Sequence, residues 1–138
     1  MTVTVEKLTE EPIIVATFAN PMNYYVDVPE MFSKILELRE TITGSPKYYI
    51  IIDMSAIKAN FNEIVFSLGE ARKASARRIP TMPASLHLVG AGDIFKMVAD
   101  ALGQGQYGGY KAPLYTSVDR ALQVVHEELG VNPTAPTE

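Results

Sequence analysis

The clearest information about the architecture of this chain lies in the residues Tyr48-Tyr49-Ile50-Ile51-Ile52-Asp53. Five apolar residues follow one another before the carboxylate, without the polar–apolar alternation of a strand that has one wet face. Such a continuous run is typical of a strand that is buried on both faces, as in a parallel sheet covered by helices. We therefore predict that residues 48–52 form the central strand of the domain.

Amphipathic helices are predicted on both sides of this strand. The first is expected to begin at a cap formed by Asp27, to carry Pro29 in its first turn and to stop at Gly44. The second is expected to begin near Asn60, with Glu63 placed three residues later as in a capping box. The expected buried positions are Val28, Met31, Phe32, Ile35, Leu38 and Ile42 in the first helix, and Phe61, Ile64, Val65, Leu68 and Ala71 in the second.

The remaining elements complete a β-β-α-β-α-β-α-β-α order. Residues 2–8 alternate and predict an edge strand, and residues 13–18 predict a second strand that pairs with it as a hairpin. Residues 85–89 and 113–115 predict two further strands, followed by helices capped by Asp93 and Ser117. The order indicates one α/β domain over residues 1–130, with a largely parallel mixed sheet, packed helices and an N-terminal edge hairpin. The Pro/Thr-rich residues 131–138 are expected to form a flexible tail.

Composition narrows the function classes. The chain has 138 residues, of which 47% are apolar and 20% are charged, and its net charge is −4. This balance predicts a folded soluble protein and gives no general reason to expect binding to nucleic acid. There is no cysteine, and neither a signal peptide nor a membrane span is visible in the sequence. We therefore expect a cytoplasmic protein.

Residue patterns for catalysis or cofactor binding are weak. His87 and His126 are the two histidines, and neither lies in a metal-ligand motif, so both are interpreted as structural or surface residues. Gly90-Ala91-Gly92 resembles the start of a dinucleotide fingerprint, but Phe95 stands where the third glycine belongs. We therefore expect a plain turn there, no metal and no cofactor, and we regard an enzyme as the least expected class.

Three other segments allow two interpretations each. The cations of residues 72–78 suit a docking patch for an acidic partner or, more simply, the end of a helix. The glycine- and tyrosine-rich residues 103–110 suit a binding loop or a plain connection. Asp53 and Ser55 lie where α/β sheets place ligands and partners, but they also suit a turn that satisfies its own backbone.

The element order and three runs, residues 48–57, 86–92 and 113–122, resemble a STAS domain of the anti-sigma-factor-antagonist type. The chain also resembles the divergent STAS/Sec14-like bacterial group. The first resemblance implies a cytoplasmic, non-enzymatic regulatory domain that binds a protein through the start of its second helix. Antagonists of this family carry a phosphorylatable Ser or Thr there. This chain has Asn60-Phe61-Asn62-Glu63 instead, while Asp53 and Ser55 keep the upstream part of the pattern.

The candidate partner-binding residues are therefore Ser55, Lys58, Asn60, Phe61 and Asn62. We expect the Ser55 hydroxyl to bond to backbone within its turn, so that binding is constitutive or regulated through the partner. Phe61 is expected to point inward as the first residue of the buried stripe. If it points outward instead, it is a candidate interface anchor.

An alternative function follows from the Sec14-like resemblance. It implies a domain that binds a small amphiphilic ligand, with a pocket near Tyr24, Tyr25, Tyr107 and Tyr110. In addition, an edge strand with few charges offers a route to homodimerisation by strand pairing.

Overall fold

The computed structural model describes residues 3–77, 82–104 and 111–130, and the predicted order of elements is confirmed. The elements are β1 Val3–Lys7, β2 Ile13–Phe18, α1 Tyr24–Arg39, β3 Tyr48–Asp53, α2 Phe61–Ser75, β4 Ala84–Val89, α3 Asp93–Leu102, β5 Leu114–Tyr115 and α4 Val118–Glu128. The predicted tail, residues 131–138, and the tyrosines Tyr107 and Tyr110 lie outside the described residues.

The five strands form one mixed sheet in the order β1-β2-β3-β4-β5. β1 runs antiparallel to β2 as an edge hairpin, and all other neighbours are parallel. β3 is central, and its Ile50 and Ile51 are 6% and 0% exposed, one on each side of the sheet. The continuous apolar run therefore forms a strand buried on both faces, as predicted.

The two faces of the sheet are covered unequally. Helices α1, α2 and α3 pack on one face, together with Ile14, Ile50, Ile52 and Leu88 of the strands. We call this the three-helix face. On the other face, α4 packs on β3, β4 and β5, where Ala121 and Val125 meet Ile13, Val15, Tyr49, Ile51 and Val89. We call this the α4 face.

The ends of α1 differ from the prediction. The helix begins at Tyr24 because the side chain of Asn23 accepts a hydrogen bond from the backbone N–H of Tyr25 at 3.1 Å. Asp27 is therefore not the cap. It is buried in the first turn, where its carboxylate accepts from the N–H of Asn23 at 3.0 Å. Pro29 lies further inside the helix than expected, and the helix ends at Arg39, before Gly44 is reached.

The caps of the other helices mostly follow the sequence. The capping box of α2 and the Ser117 cap of α4 are both present. The cap of α3 is Gly92 rather than Asp93, with φ of 102°, a backbone conformation that favours glycine. A Cβ at Gly90 would meet the Phe95 ring at 3.2 Å, so the Gly-Ala-Gly turn fits against a bulky side chain.

Candidate functional site

The turn between β3 and α2 is built around the Asp53 carboxylate. Its Oδ1 accepts hydrogen bonds from the Ser55 backbone N–H at 2.9 Å and from the Ser55 hydroxyl at 2.6 Å. Asp53 therefore satisfies a backbone donor of its own turn, as an aspartate commonly does. The expectation that the Ser55 hydroxyl bonds to backbone is wrong, because the hydroxyl donates its hydrogen bond to the Asp53 carboxylate instead.

Asn60 is used inside the molecule. Its side chain accepts from the N–H of Glu63 at 2.8 Å, and the Glu63 carboxylate accepts from the N–H of Asn60 at 2.9 Å. This reciprocal pair satisfies two donors at the start of α2. Of the candidate partner-binding residues, Asn60 is thus a structural cap, whereas the side chains of Lys58, Phe61 and Asn62 are exposed.

The loop before α2 is tied to the start of α1. The Tyr24 hydroxyl donates to the carbonyl of Lys58 at 2.5 Å, and the Asn20 side chain donates to the carbonyl of Ala56 at 2.9 Å. Burial, with a smaller contribution from the charge of Glu63, raises the pKa of Tyr24 to about 12. The phenol therefore stays protonated and can donate this hydrogen bond. The bond places the predicted partner-binding segment before α2 next to the tyrosines at the start of α1.

Phe61 points outward, with 64% of its surface exposed, so the expectation of a buried ring is wrong. The buried stripe of α2 consists of Ile64, Leu68 and Ala71. Met54 and Ile57 of the preceding turn are buried in the core ahead of that stripe. Because the turn already supplies the apolar side chains at this end, the first residue of the helix lies outside the core.

An exposed apolar surface results in the first two turns of α1 and α2. Five large apolar side chains are exposed in the described residues, and Tyr25, Val26, Phe61 and Val65 are four of them. Tyr25 packs on Phe66 with ring centroids 4.8 Å apart, which joins the α1 part to the α2 part. We call these four residues the aromatic surface. The expectation that Val65 belongs to the buried stripe is also wrong, because Val65 is 49% exposed. Val26 was missed from the sequence.

An apolar cavity of about 70 Å³ lies beneath the aromatic surface, between the sheet and the three helices. Its lining includes Tyr24, Phe32, Ile64, Leu88, Phe95 and Val98. An engineered cavity that binds benzene measures about 150 Å³, so this space is less than half as large. Of the four tyrosines predicted near a pocket, Tyr24 lines the cavity, whereas Tyr25 is exposed at the surface.

A polar cluster on the α4 face was also missed. His87 is 4% exposed, and its ring nitrogens lie 3.0 Å from the Ser85 hydroxyl and 3.2 Å from the Tyr115 hydroxyl. Next to it, Lys47 pairs with Glu128 at 3.3 Å. Burial lowers the pKa of His87, the Glu128 charge raises it and the Lys47 charge lowers it. The period-two spacing of Ser85 and His87 on one strand was the available signal.

His87 and His126 both have side-chain partners. His126 meets the Glu11 carboxylate at 2.6 Å and lies far along the chain from the His87 cluster. Among the residues that the structure describes, there is no group of His, Asp and Glu that could hold a metal ion. None of the helices within residues 3–77, 82–104 and 111–130 combines the length and the hydropathy that a membrane-spanning segment requires.

The described cations of residues 72–77 lie in the last turn of α2 and directly after it. Arg72 and Lys73 occupy the last turn of α2, where positive charge complements the helix dipole. Lys73 pairs with Glu70 at 2.9 Å, and the Arg77 carbonyl accepts from the Arg39 guanidinium at 2.7 Å.

Comparison of the chain with protein-family models, with curated proteins and with solved structures finds no match.

Proposed function

We propose that this chain is a cytoplasmic, non-enzymatic regulatory or scaffolding domain of the STAS-like type, which binds a protein partner through the aromatic surface. One observation carries the proposal: four of the five large apolar side chains exposed in the described residues lie in the first two turns of α1 and α2, which meet through Tyr25 and Phe66. An exposed apolar cluster with a polar surround is typical of interaction sites.

The surroundings of Phe61 suit an interface. Aromatic anchors often dominate binding energies, and Phe61 has exposed polar neighbours in the sequence, Lys58 before it and Asn62 after it. The capping box of Asn60 and the bond from Tyr24 to the Lys58 carbonyl fix the backbone beneath them. A partner would therefore meet a preformed surface, which reduces the entropy lost on binding.

Phosphorylation has no acceptor at this helix start. Residues 60–63 contain no hydroxyl, and the nearby Ser55 hydroxyl is held by Asp53. A phosphate would add about −1.5 to −2 charges, which is the switch that the resemblance implies in other members. Binding by this chain is accordingly constitutive, or it is regulated through the partner.

The test is quantitative capture of a partner from the source organism by purified protein, followed by affinity measurement with that partner. Phe61→Ala and Asn62→Asp should each weaken binding, Phe61→Ala by about tenfold or more, as for an aromatic anchor. Met97→Ala on α3 is the matched control, because Met97 is the fifth large apolar side chain exposed in the described residues and lies outside the aromatic surface. Unchanged binding by both variants, with thermal stability also unchanged, would contradict the proposal.

The cavity supports a second candidate, binding of a small amphiphilic ligand. Its wall is apolar, while the Tyr24 hydroxyl and the exposed Tyr25 lie at the same end of α1. Given the size of the cavity, even a ligand as small as benzene requires the helices to move apart. Native mass spectrometry of protein purified from its own host tests this candidate. A stoichiometric small ligand, lost in Val98→Phe, would favour it over the protein-binding function.

A further inference from the structure

The outer face of α2 has a specific pattern. Phe61, Asn62 and Val65 occupy its first half, and Arg72 and Lys73 its last turn, all of them exposed. Gly69 lies between the two groups, on the side opposite Ile64, Leu68 and Ala71. From its N-terminal to its C-terminal end, this face thus carries exposed apolar side chains, a position without a side chain at Gly69, which we call the gap, and two cations.

Gly69 has no explanation inside the described part of the molecule. A Cβ added there would have no atom within 4 Å, and its φ is not in the positive range that favours glycine. Glycine is among the least favourable residues in a helix interior, so alanine would serve the isolated domain better. A glycine on an outer helix face allows close approach by another chain.

We propose that this face pairs with the same face of a second copy, with the two α2 helices antiparallel and a two-fold axis at the level of residue 67. In this register Val65 of each copy enters the gap at Gly69 of the other. The Phe61 ring meets the guanidinium of Arg72. The Asn62 carbonyl meets the ammonium of Lys73, which keeps its pair with Glu70 of its own copy. All three pairs have the same midpoint to within half a residue, so one axis satisfies them together.

The charges favour a second copy as the occupant. Cations attract aromatic faces, and each copy supplies both partners, so two Phe61–Arg72 contacts form. Among the described residues, no carboxylate lies within ion-pair distance of Arg72, whose guanidinium is available for this contact. The two Arg72 side chains lie about 15 Å apart along the helices, beyond the Debye length of about 8 Å, so they repel each other weakly.

The contact continues onto α1. Tyr25 packs on Phe66, one residue from the level of the proposed axis. Antiparallel pairing therefore brings the Tyr25 rings of the two copies together beside α2. Self-association would cover Phe61 and Asn62, and so it would compete with the partner proposed above. It does not rest on that proposal, because its readout is the oligomeric state of the purified chain.

Sedimentation equilibrium of the full chain, from about 1 µM to 1 mM, tests the pairing. We expect a reversible dimer whose Kd rises tenfold or more in Gly69→Leu, which fills the gap with a good helix former. Thr4→Lys is the control, since Thr4 is exposed on the edge strand β1. It should leave the Kd unchanged, whereas a dimer formed by strand pairing would be weakened by it and not by Gly69→Leu.

A charge exchange tests the register. Phe61→Lys alone should prevent self-association, because the new lysine faces Arg72 of the other copy. The double variant Arg72→Glu, Lys73→Glu should also weaken its own dimer. Mixed in equal amounts, the two variants should form a heterodimer through Lys–Glu pairs on one side and the original contact on the other. A monomer at all concentrations, a dimer insensitive to Gly69→Leu, or no heterodimer on mixing would each overturn the proposal.

Discussion

The two faces of the sheet are stabilised in different ways. The three-helix face is largely apolar, yet it contains a cavity of about 70 Å³ and carries the aromatic surface on its outer side. On the α4 face, Ile51, Ala121 and Val125 are all 0% exposed, and a buried His87 is bonded to Ser85 and Tyr115. The incompletely filled layer is thus the one that offers surfaces for binding.

The packing of the two faces indicates where the fold tolerates substitution. Side chains that border a void have fewer contacts to lose than side chains packed on every side. Buried polar groups that are fully paired hold one arrangement, because breaking one pair leaves an unsatisfied partner. We therefore expect the α4 face to resist substitution and the three-helix face to accept it more readily.

The largest effects should come from truncating neighbouring residues of β3. Ile51→Ala on the α4 face and Ile52→Ala at the cavity should each lower the free energy of unfolding by about 2–5 kcal/mol. Ile51→Ala should have the larger effect, because Ile52 borders the existing void. Urea denaturation measures both values. Equal losses, or a larger loss for Ile52→Ala, would contradict the proposed difference in packing.

A smaller, pH-dependent effect is expected from His87. Because burial lowers the pKa of His87 below its ordinary value of 6.5, the unfolded chain binds its proton more readily than the folded chain. The stability that the fold has with a neutral His87 is therefore fully present above pH 6.5. It is lost as the pH falls from there towards the folded pKa, because the unfolded chain takes up the proton first. Thermal unfolding between pH 5 and pH 8 measures the dependence.

The control for this pH dependence is His87→Gln, which keeps a polar side chain on the α4 face and cannot titrate. Lys47 and Glu128 act on His87 in opposite directions, so Glu128→Gln should deepen the lowering of its pKa. If the parent and His87→Gln lose stability equally between pH 6.5 and pH 5, the imidazole is not the group responsible.

Much of the fold followed from local patterns. The contrast between continuous and alternating apolar residues identified β3 as central and β1 as an edge strand. This works because successive side chains of a strand point to opposite faces of the sheet, so the pattern shows which faces are buried. Helix starts were less certain. Asn23 was overlooked as the cap of α1 in favour of Asp27, whereas the cap at Asn60 was found because Glu63 completes a recognisable pair.

The site was predicted less well, because it depends on contacts between distant segments. Helical spacing put Phe61 in the core, but spacing does not record that Met54 and Ile57 fill that end of it. Nor does the local sequence near Lys58 show that Tyr24, 34 residues earlier, bonds to its carbonyl. The cluster around His87 likewise joins β4 to β5 across 28 residues.

The smallest expected effect concerns two glycines on opposite sides of the sheet. Gly69 lies within α2, and Gly130 follows α4 with φ of +76°; a Cβ at either would have no atom within 4 Å. The two glycines therefore do not differ in the contacts that an added Cβ would make, and the effect of alanine at each depends on the backbone conformation alone. Gly69→Ala should raise the free energy of unfolding by about 0.5–1 kcal/mol, because alanine restricts the unfolded chain and suits a helix. Gly130→Ala should lower it by about 1–2 kcal/mol, because an L-residue is strained at positive φ. Urea denaturation, done at a concentration low enough to keep the chain monomeric, measures both. A stability gain in Gly69→Ala accompanied by weaker self-association would show that the glycine serves contact with another chain. A loss of stability would instead mean that the monomer itself requires it.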